Sequence, residues 1–438
     1  MKRVFLEILS EAPQVFSPLL IKRDLQIDPG IKKVQTIVGP RRSGKSSLLA
    51  LSVNQLLENG IGWDKICLVS FEDERLRKDS YDPDLLLQAF RELYPGNAAL
   101  KEVYFLLDEI QYLPQWEFFV NRVYEKISKN IIITGSNSRT LHADVASVLR
   151  GRGLPFEVLP LSFSEYLRFR NIEFGEYGIQ KSVVLAAFNE YLLWGGYPEI
   201  VLPGFANKRD VLQEYFNTVL YRDILEQKQS AGSYLRYLFH RIAGNTGKNL
   251  SLRKIYQELK SRGYAVSQES IYQAADLAEA VYLFKRIGKY DPSLIKSENS
   301  DKKCYFVDNG ILHSIDSSFS NNLGSLLENL VFWQLYRLYG NIYTTGIYYY
   351  KDPYCECDFI VHENGLKPRP VQVCLSLKDS RTRQRELKGL LKACRFCEVE
   401  KGIILTVDEE EEFSVNNIKV AVIPAWKWCA KNMKFADE

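Results

Sequence analysis

The feature that most restricts how this chain can fold is an octapeptide, Gly39-Pro40-Arg41-Arg42-Ser43-Gly44-Lys45-Ser46, with the pattern G-x-x-x-x-G-K-[ST]. An apolar run, VQTIV, precedes it and a helical run, SSLLALSVNQLL, follows. Strand, glycine loop and helix in that order make a phosphate cradle. The glycines let the backbone turn its N–H groups toward an anion, and the helix N-terminus adds its positive end. Gly39 through Ser46, with Ser47 next along the helix, are the expected nucleotide contacts. Lys45 is placed to reach the β- and γ-phosphates, and Ser46 to ligate Mg²⁺. Between Lys33 and about Pro160 the runs VQTIVG, ICLVSF, VYFLLDE, NIIITGS and FEVLPL alternate with helical stretches. Such runs predict an α/β core with a parallel sheet covered on both faces.

The second half of the site follows at the expected distance. Val103–Glu109, VYFLLDE, is an apolar strand ending in two carboxylates. Asp108 is expected to hold Mg²⁺ together with Ser46, and Glu109 to orient the attacking water. Acids at the end of a buried strand are costly unless paired or metal-bound. One strand later, Ile131–Asn137 ends in Gly135-Ser136-Asn137, where Asn137 or Ser136 is expected beside the γ-phosphate.

These motifs, with ITGSNS, LRGRGLPFEVLPLSFSEYL and GGYPE, resemble a prokaryotic AAA+ family of ATP-binding proteins, from about residue 16 to 430. The resemblance implies a P-loop NTPase (AAA+) core at 1–165, a helical lid at 166–232, a winged-helix-like segment at 233–290 and a C-terminal α/β domain at 291–438. That last domain resembles the restriction-endonuclease-like fold. AAA+ rings use an arginine of one subunit at the γ-phosphate of the next. Arg152, or Arg150 beside it, is the expected residue, and a homo-oligomer the expected assembly.

The middle segment is set apart by charge. Residues 233–290 hold ten Lys/Arg and four Asp/Glu, a net +6 in a chain whose total is +3. The helices SLRKIYQELKSRG and SQESIYQAADLAEA read as a winged helix-turn-helix with Ser267 as N-cap. Gln268, Ser270 and Gln273 would face double-stranded DNA, and Lys285, Arg286 and Lys289 would hold phosphates. The presumed recognition helix is itself acidic (Glu269, Asp276, Glu279), so a partner protein is the competing expectation.

In the C-terminal domain Glu328, Glu356 and Asp358 match three carboxylates of a nuclease-like site, the last two sharing one strand face. Gln372 and Cys374 then stand where that pattern needs a carboxylate and a lysine. No cation is therefore expected beside the acids, and the domain reads as a degenerate nuclease fold. Asp308, in YFVDNGIL, is expected to cap a turn. Cys355-x-Cys357 and Cys394-x-x-Cys397 read as buried thiols in preference to a zinc site.

At 438 residues the chain has room for two to four domains. Its 25% charged and 46% apolar residues are those of a globular protein. The start, MKRVFLEILSEAPQVF, reads as a short amphipathic helix with no secretory core. A cytoplasmic protein with reduced thiols and no membrane contact is expected. The reading is an ATPase that uses ATP and Mg²⁺ to drive or switch binding to DNA or a partner protein. The alternatives are an ATP-regulated, metal-dependent DNA nuclease and a non-hydrolysing nucleotide-gated scaffold.

Overall fold

The computed structural model describes residues 1–16, 20–77, 81–135, 151–204, 207–225, 233–298, 300–315, 322–340 and 345–435. The chain divides into two compact units, Met1–Leu159 and Pro160–Glu438.

The first unit is built on five parallel strands: β1 (Val34–Val38), β2 (Ile66–Ser70), β3 (Tyr104–Asp108), β4 (Ile131–Gly135) and β5 (Gly153–Glu157), in the order β2-β3-β4-β1-β5. The inner strands β1 and β4 are buried at every position, as their continuous apolar sequence predicts. Ile37, Leu106 and Ile132 of the sheet pack with Leu48, Leu49 and Val53 of the helix Lys45–Glu58. The amphipathic start forms the helix Lys2–Val15, which buries Phe5, Ile8 and Leu9 and packs on the helix Asp84–Leu93. This is the α/β P-loop architecture predicted from the motifs, and the strand order brings the ends of β1, β3 and β4 side by side.

The second unit opens with helices. Phe163–Phe169 starts with a capping box between Ser162 and Glu165. Gly178–Trp194 ends at the turn Gly195-Gly196. Asp308 holds that turn. One carboxylate oxygen accepts from Gly196 N at 2.7 Å, and the other from Gly310 N at 2.8 Å. A Cβ on Gly195 would sit 1.8 Å from this carboxylate, so only glycine fits. Burial pushes the Asp308 carboxyl up to about 6, against the pull of the two N–H groups. Asp308 thus caps a turn, as expected, and also ties together segments more than a hundred residues apart.

Helices Ser233–Ala243, Leu252–Ser261 and Gln268–Ala280 follow, with a small antiparallel sheet of β6 (Asn249–Leu250), β7 (Phe284–Ile287) and β8 (Lys302–Phe306), in the order β6-β8-β7. Its middle strand, β8, comes from beyond residue 290, so residues 233–290 contain only part of this sheet. The last part is a six-stranded sheet in the order β13-β14-β12-β11-β10-β9. Its strands are β9 (Thr345–Lys351), β10 (Glu356–Glu363), β11 (Arg369–Val373), β12 (Lys401–Thr406), β13 (Glu411–Val415) and β14 (Ile418–Pro424). The helices Leu323–Tyr339 and Ser380–Phe396 pack on it. Cys355, Cys357, Cys374, Cys394 and Cys397 gather in one apolar core with Ile360 and Leu390. Burial pushes the Cys394 and Cys397 thiols up to about 12, so they stay protonated. Among the described residues no group of His, Cys, Asp or Glu is arranged to hold a metal ion. None of the described helices is long and apolar enough to cross a membrane.

The helix Ser380–Phe396 lies so close to β10 that a Cβ on Gly389 would approach Glu356 O to 2.1 Å. Gly389→Ala is expected to lower the thermal unfolding midpoint, because forced overpacking costs about 1–3 kcal/mol, more than the ~1 kcal/mol that alanine adds in helix preference. A midpoint equal to or above that of the unaltered chain would contradict this packing.

Candidate functional site

The P-loop lies between the end of β1 and the helix Lys45–Glu58. Gly39 has φ +150°, and a Cβ there would come within 2.1 Å of Val158 O. Gly44, at φ 98°, is the left-handed residue from which the helix starts, and no side chain caps that helix. Its first N–H groups are thus left for an anion. Lys45 is buried and its ammonium donates to the carbonyls of Gly39 at 3.2 Å and Pro40 at 3.0 Å. It also lies 3.8 Å from Glu109 Oε1.

Asp108 is the centre of the site. The Ser46 hydroxyl donates to its two oxygens at 3.1 and 2.9 Å, and the Thr134 hydroxyl donates to Oδ1 at 2.5 Å. Thr134 Oγ1 in turn accepts from Glu109 N at 2.9 Å. Burial raises the Asp108 carboxyl above its ordinary range, opposed by the Thr134 and Ser46 hydroxyls and by Lys45. Glu109 sits at φ 48°, and its Oε2 accepts from the Gln111 amide. The left-handed backbone turns its carboxylate out of the strand and toward Lys45. Ser46, Asp108 and Glu109 are therefore brought together as the sequence predicts. Hydroxyl and carboxylate oxygens on adjoining elements are what a hard cation such as Mg²⁺ takes. An uncapped helix start, a glycine cradle and a buried ammonium fit a phosphate chain. The site residues thus fit both ATP and Mg²⁺.

Two residues of this site escaped the sequence reading. Thr134, a buried polar residue inside the run IIITG, holds Asp108; polarity within an otherwise apolar strand was its signal. Arg23, also buried, donates to Ser43 O and Leu159 O at 2.8 Å each and so props the loop from below. No motif marks it. Asn137, Ser136 and Arg150 lie outside the described residues. Arg152 precedes β5, and its carbonyl accepts from Val34 N at the start of β1, so it lies at the sheet edge opposite the P-loop. Its guanidinium binds Asn121 at 3.1 Å and pairs with Glu125. Within one chain it does not reach the phosphate cradle.

The C-terminal unit corrects one expectation. Glu328, Glu356 and Asp358 do converge, and a cation stands among them. It is Lys303, from β8. Its ammonium lies 2.6 Å from Glu356 Oε1, 3.2 Å from Glu328 Oε1 and 3.5 Å from Asp358 Oδ1. Burial alone would lower its pKa, but the three carboxylates raise it above the ordinary lysine value. Tyr305 OH donates to Glu328 at 2.7 Å, Lys351 pairs with Glu356 at 2.9 Å, and Val373 N donates to Asp358 at 2.9 Å. Gln372 binds Asp358 N and Glu386, closing the cluster. The nuclease pattern carries its lysine beside β11, where Cys374 stands here; Lys303 comes instead from β8, far upstream in the chain.

The basic wing also differs from expectation. Ser267 does cap its helix, accepting from Ser270 N at 3.0 Å. However, Arg286 is held by Glu279 at 2.7 Å and Asp276 at 2.6 Å, and Lys285 donates to Tyr336 OH at 3.2 Å. Two of the three expected phosphate ligands already have partners, supplied in part by the acids of the presumed recognition helix.

An AAA domain model matches residues 31–167, and two domains of unknown function match residues 185–322 and 323–428. The chain is 31% identical over 420 residues to an uncharacterized protein of Methanocaldococcus jannaschii, a match that covers 93% of this chain and 91% of that protein. This chain belongs to that prokaryotic AAA-domain family. An uncharacterized Haemophilus influenzae protein is 31% identical over 307 residues, covering 69% of this chain and 74% of that one. A Walker-type ATPase of Pyrococcus abyssi is similar in structure, with a TM-score of 0.43 and 17% identity over 72% of this chain and 95% of that one. The AAA match spans the P-loop, Asp108, Glu109 and Thr134, all within the first unit.

Two outcomes follow from this geometry. Thr134→Val keeps the shape but removes the hydroxyl between Asp108 and Glu109. A hydrogen bond to a charged group contributes about 1.5–3 kcal/mol, so Mg²⁺-dependent nucleotide affinity, measured by titration calorimetry, is expected to fall on the order of tenfold or more. Unchanged affinity would show that Thr134 is only strand filler. Lys303→Met leaves three carboxylates without their cation. Removing one partner of a buried pair costs about 3–5 kcal/mol. A marked fall in the unfolding midpoint is expected, partly restored by adding Glu328→Gln, and no fall would contradict the cluster.

Proposed function

We propose that this AAA protein binds ATP with Mg²⁺ in its first unit, hydrolyses it, and uses the cycle to switch its hold on nucleic acid. The observation that carries this reading is the arrangement around Asp108: Ser46 and Thr134 fix its carboxylate beside Lys45 and Glu109. When bound with ATP, Mg²⁺ neutralises charge on the β- and γ-phosphates. Lys45 leaves the carbonyls of Gly39 and Pro40 for the phosphates, and the N–H groups of the helix start, which no side chain caps, hold them in place. Glu109, facing Lys45 across 3.8 Å, positions and polarises water for in-line attack. Asn137 remains the proposed contact to the γ-phosphate. Arg152 has a role only toward a second copy of the chain, once Glu125 releases it.

For the rest of the chain we propose a helical lid at 166–232, a winged-helix-like segment from 233 that takes in β8, and a C-terminal domain of nuclease-like descent kept for binding. Lys303 argues against the metal-dependent nuclease alternative: its ammonium occupies the space between the three carboxylates that a catalytic cation would need.

Lys45→Ala is expected to abolish ATP binding. Glu109→Gln is expected to keep binding and lose turnover, read as phosphate release. Wild-type turnover by Glu109→Gln would remove Glu109 from the reaction, and cleavage of supercoiled DNA by the unaltered protein with Mg²⁺ would promote the nuclease alternative.

A further inference from the structure

The helix Ser380–Phe396 carries six Lys/Arg and one Asp/Glu. Five of the six form a single line. Arg381, Arg385, Lys388, Lys392 and Arg395 are spaced by four, three, four and three residues. At about 100° per residue this spacing keeps them within an arc of roughly 80°, and at 1.5 Å per residue the line is about 21 Å long. The opposite side of the helix is spent on the sheet: Gly389, Leu390, Ala393 and Cys394 are buried. The close approach of Gly389 to β10 fixes the helix, and with it the line of charges.

These charges are mostly unspent. Arg381, Lys388 and Arg395 are exposed and pair with no carboxylate among the described residues. Arg385, 75% exposed, touches only Glu386, which is itself buried and turned to Gln372. Lys392 alone has an outside acid, Asp352, at 2.9 Å. The sixth, Arg383, lies off the line and pairs with Glu411.

We infer that this line of charges is a binding surface for the phosphodiester backbone of a nucleic-acid duplex. One strand of a duplex presents a phosphate about every 3.4 Å of axis, so about 21 Å of it offers roughly six anions to five cations held in a rigid row. A membrane surface fits less well, because interfacial helices need a continuous exposed apolar face and this helix exposes one large apolar side chain, Phe396 at its end. This deepens the proposed function, whose nucleic-acid contact then lies on the helix Ser380–Phe396 and not at Lys285 and Arg286, which are already paired.

The test uses the full-length protein and a fluorescein-labelled duplex of about 25 base pairs, followed by anisotropy from about 50 to 200 mM salt. The triple variant Arg381→Glu, Lys388→Glu, Arg395→Glu breaks no ion pair among the described residues and leaves the ATP site untouched, so the basal rate of ATP hydrolysis is expected to be unchanged. Duplex affinity at the lowest salt is expected to fall more than tenfold. The slope of log affinity against log salt is expected to flatten by about 2.7, at ~0.9 for each phosphate that is no longer neutralised. Should the glutamates impair folding, the Gln variants at the same three positions are expected to show the same flattening. Unchanged affinity and slope would overturn the inference, as would binding of phosphatidylserine vesicles or polyglutamate but not of the duplex. If the triple variant binds as the unaltered protein does and ATP is hydrolysed, the surface falls and the proposed function stands. If binding depends on the line of charges but no ATP is turned over, the reverse holds.

Discussion

A carboxylate buried at the end of a parallel strand is the constraint on which the first unit depends. Burial raises the pKa of Asp108, and hydroxyls from two other elements, together with the Lys45 ammonium, oppose that rise. Ser46 comes from the helix after β1, and Thr134 from β4. This requires β1, β3 and β4 to end at one level, which the order β2-β3-β4-β1-β5 provides. Thr134 also accepts from the Glu109 N–H, so one hydroxyl links the Asp108 carboxylate to the backbone of Glu109. Such shared support is how a fold holds reacting groups in place before substrate arrives.

The second unit shows how charge can be hidden from a count along the chain. Residues 233–290 are strongly basic in sequence, yet Arg241 is paired with Glu258, Arg286 with Glu279 and Asp276, and Lys285 sits on Tyr336. The helix Ser380–Phe396 is basic in a different sense. Five of its six charges lie in one line, and Arg381, Lys388 and Arg395 face no acid among the described residues. Lys303 is the opposite extreme, a fully buried cation whose charge is balanced by three carboxylates. Net charge over a window states how many cations there are; only packing shows which remain available to a partner.

The parts legible in the sequence were those set by local pattern. The continuous apolar runs gave the parallel strands, the glycine loop marked its own strand and helix, and Asp108 and Glu109 were placed by the end of an apolar run. Ser267 as a cap and the shared face of Glu356 and Asp358 depend on spacing alone and were also legible. What was missed depends on residues distant in sequence. Lys303 meets Glu328 and Glu356 from β8, a strand that belongs to the smaller sheet with β7. Arg23 reaches the P-loop from a segment with no motif. Thr134 lies inside β4, one residue before the strand end, and its hydroxyl is hidden in an otherwise apolar run. The turn at Gly195-Gly196 was visible as a break, but its partner Asp308 was not.

Asp108, held by Ser46 and Thr134, is the proposed Mg²⁺ anchor of an ATPase site in the first unit. Phosphate release from ATP, measured as Mg²⁺ is titrated into the purified protein and into Asp108→Asn, tests it most directly. The account requires release that rises with Mg²⁺ in the unaltered chain and stays at background in Asp108→Asn even at high Mg²⁺. Equal, Mg²⁺-dependent release from both would contradict it.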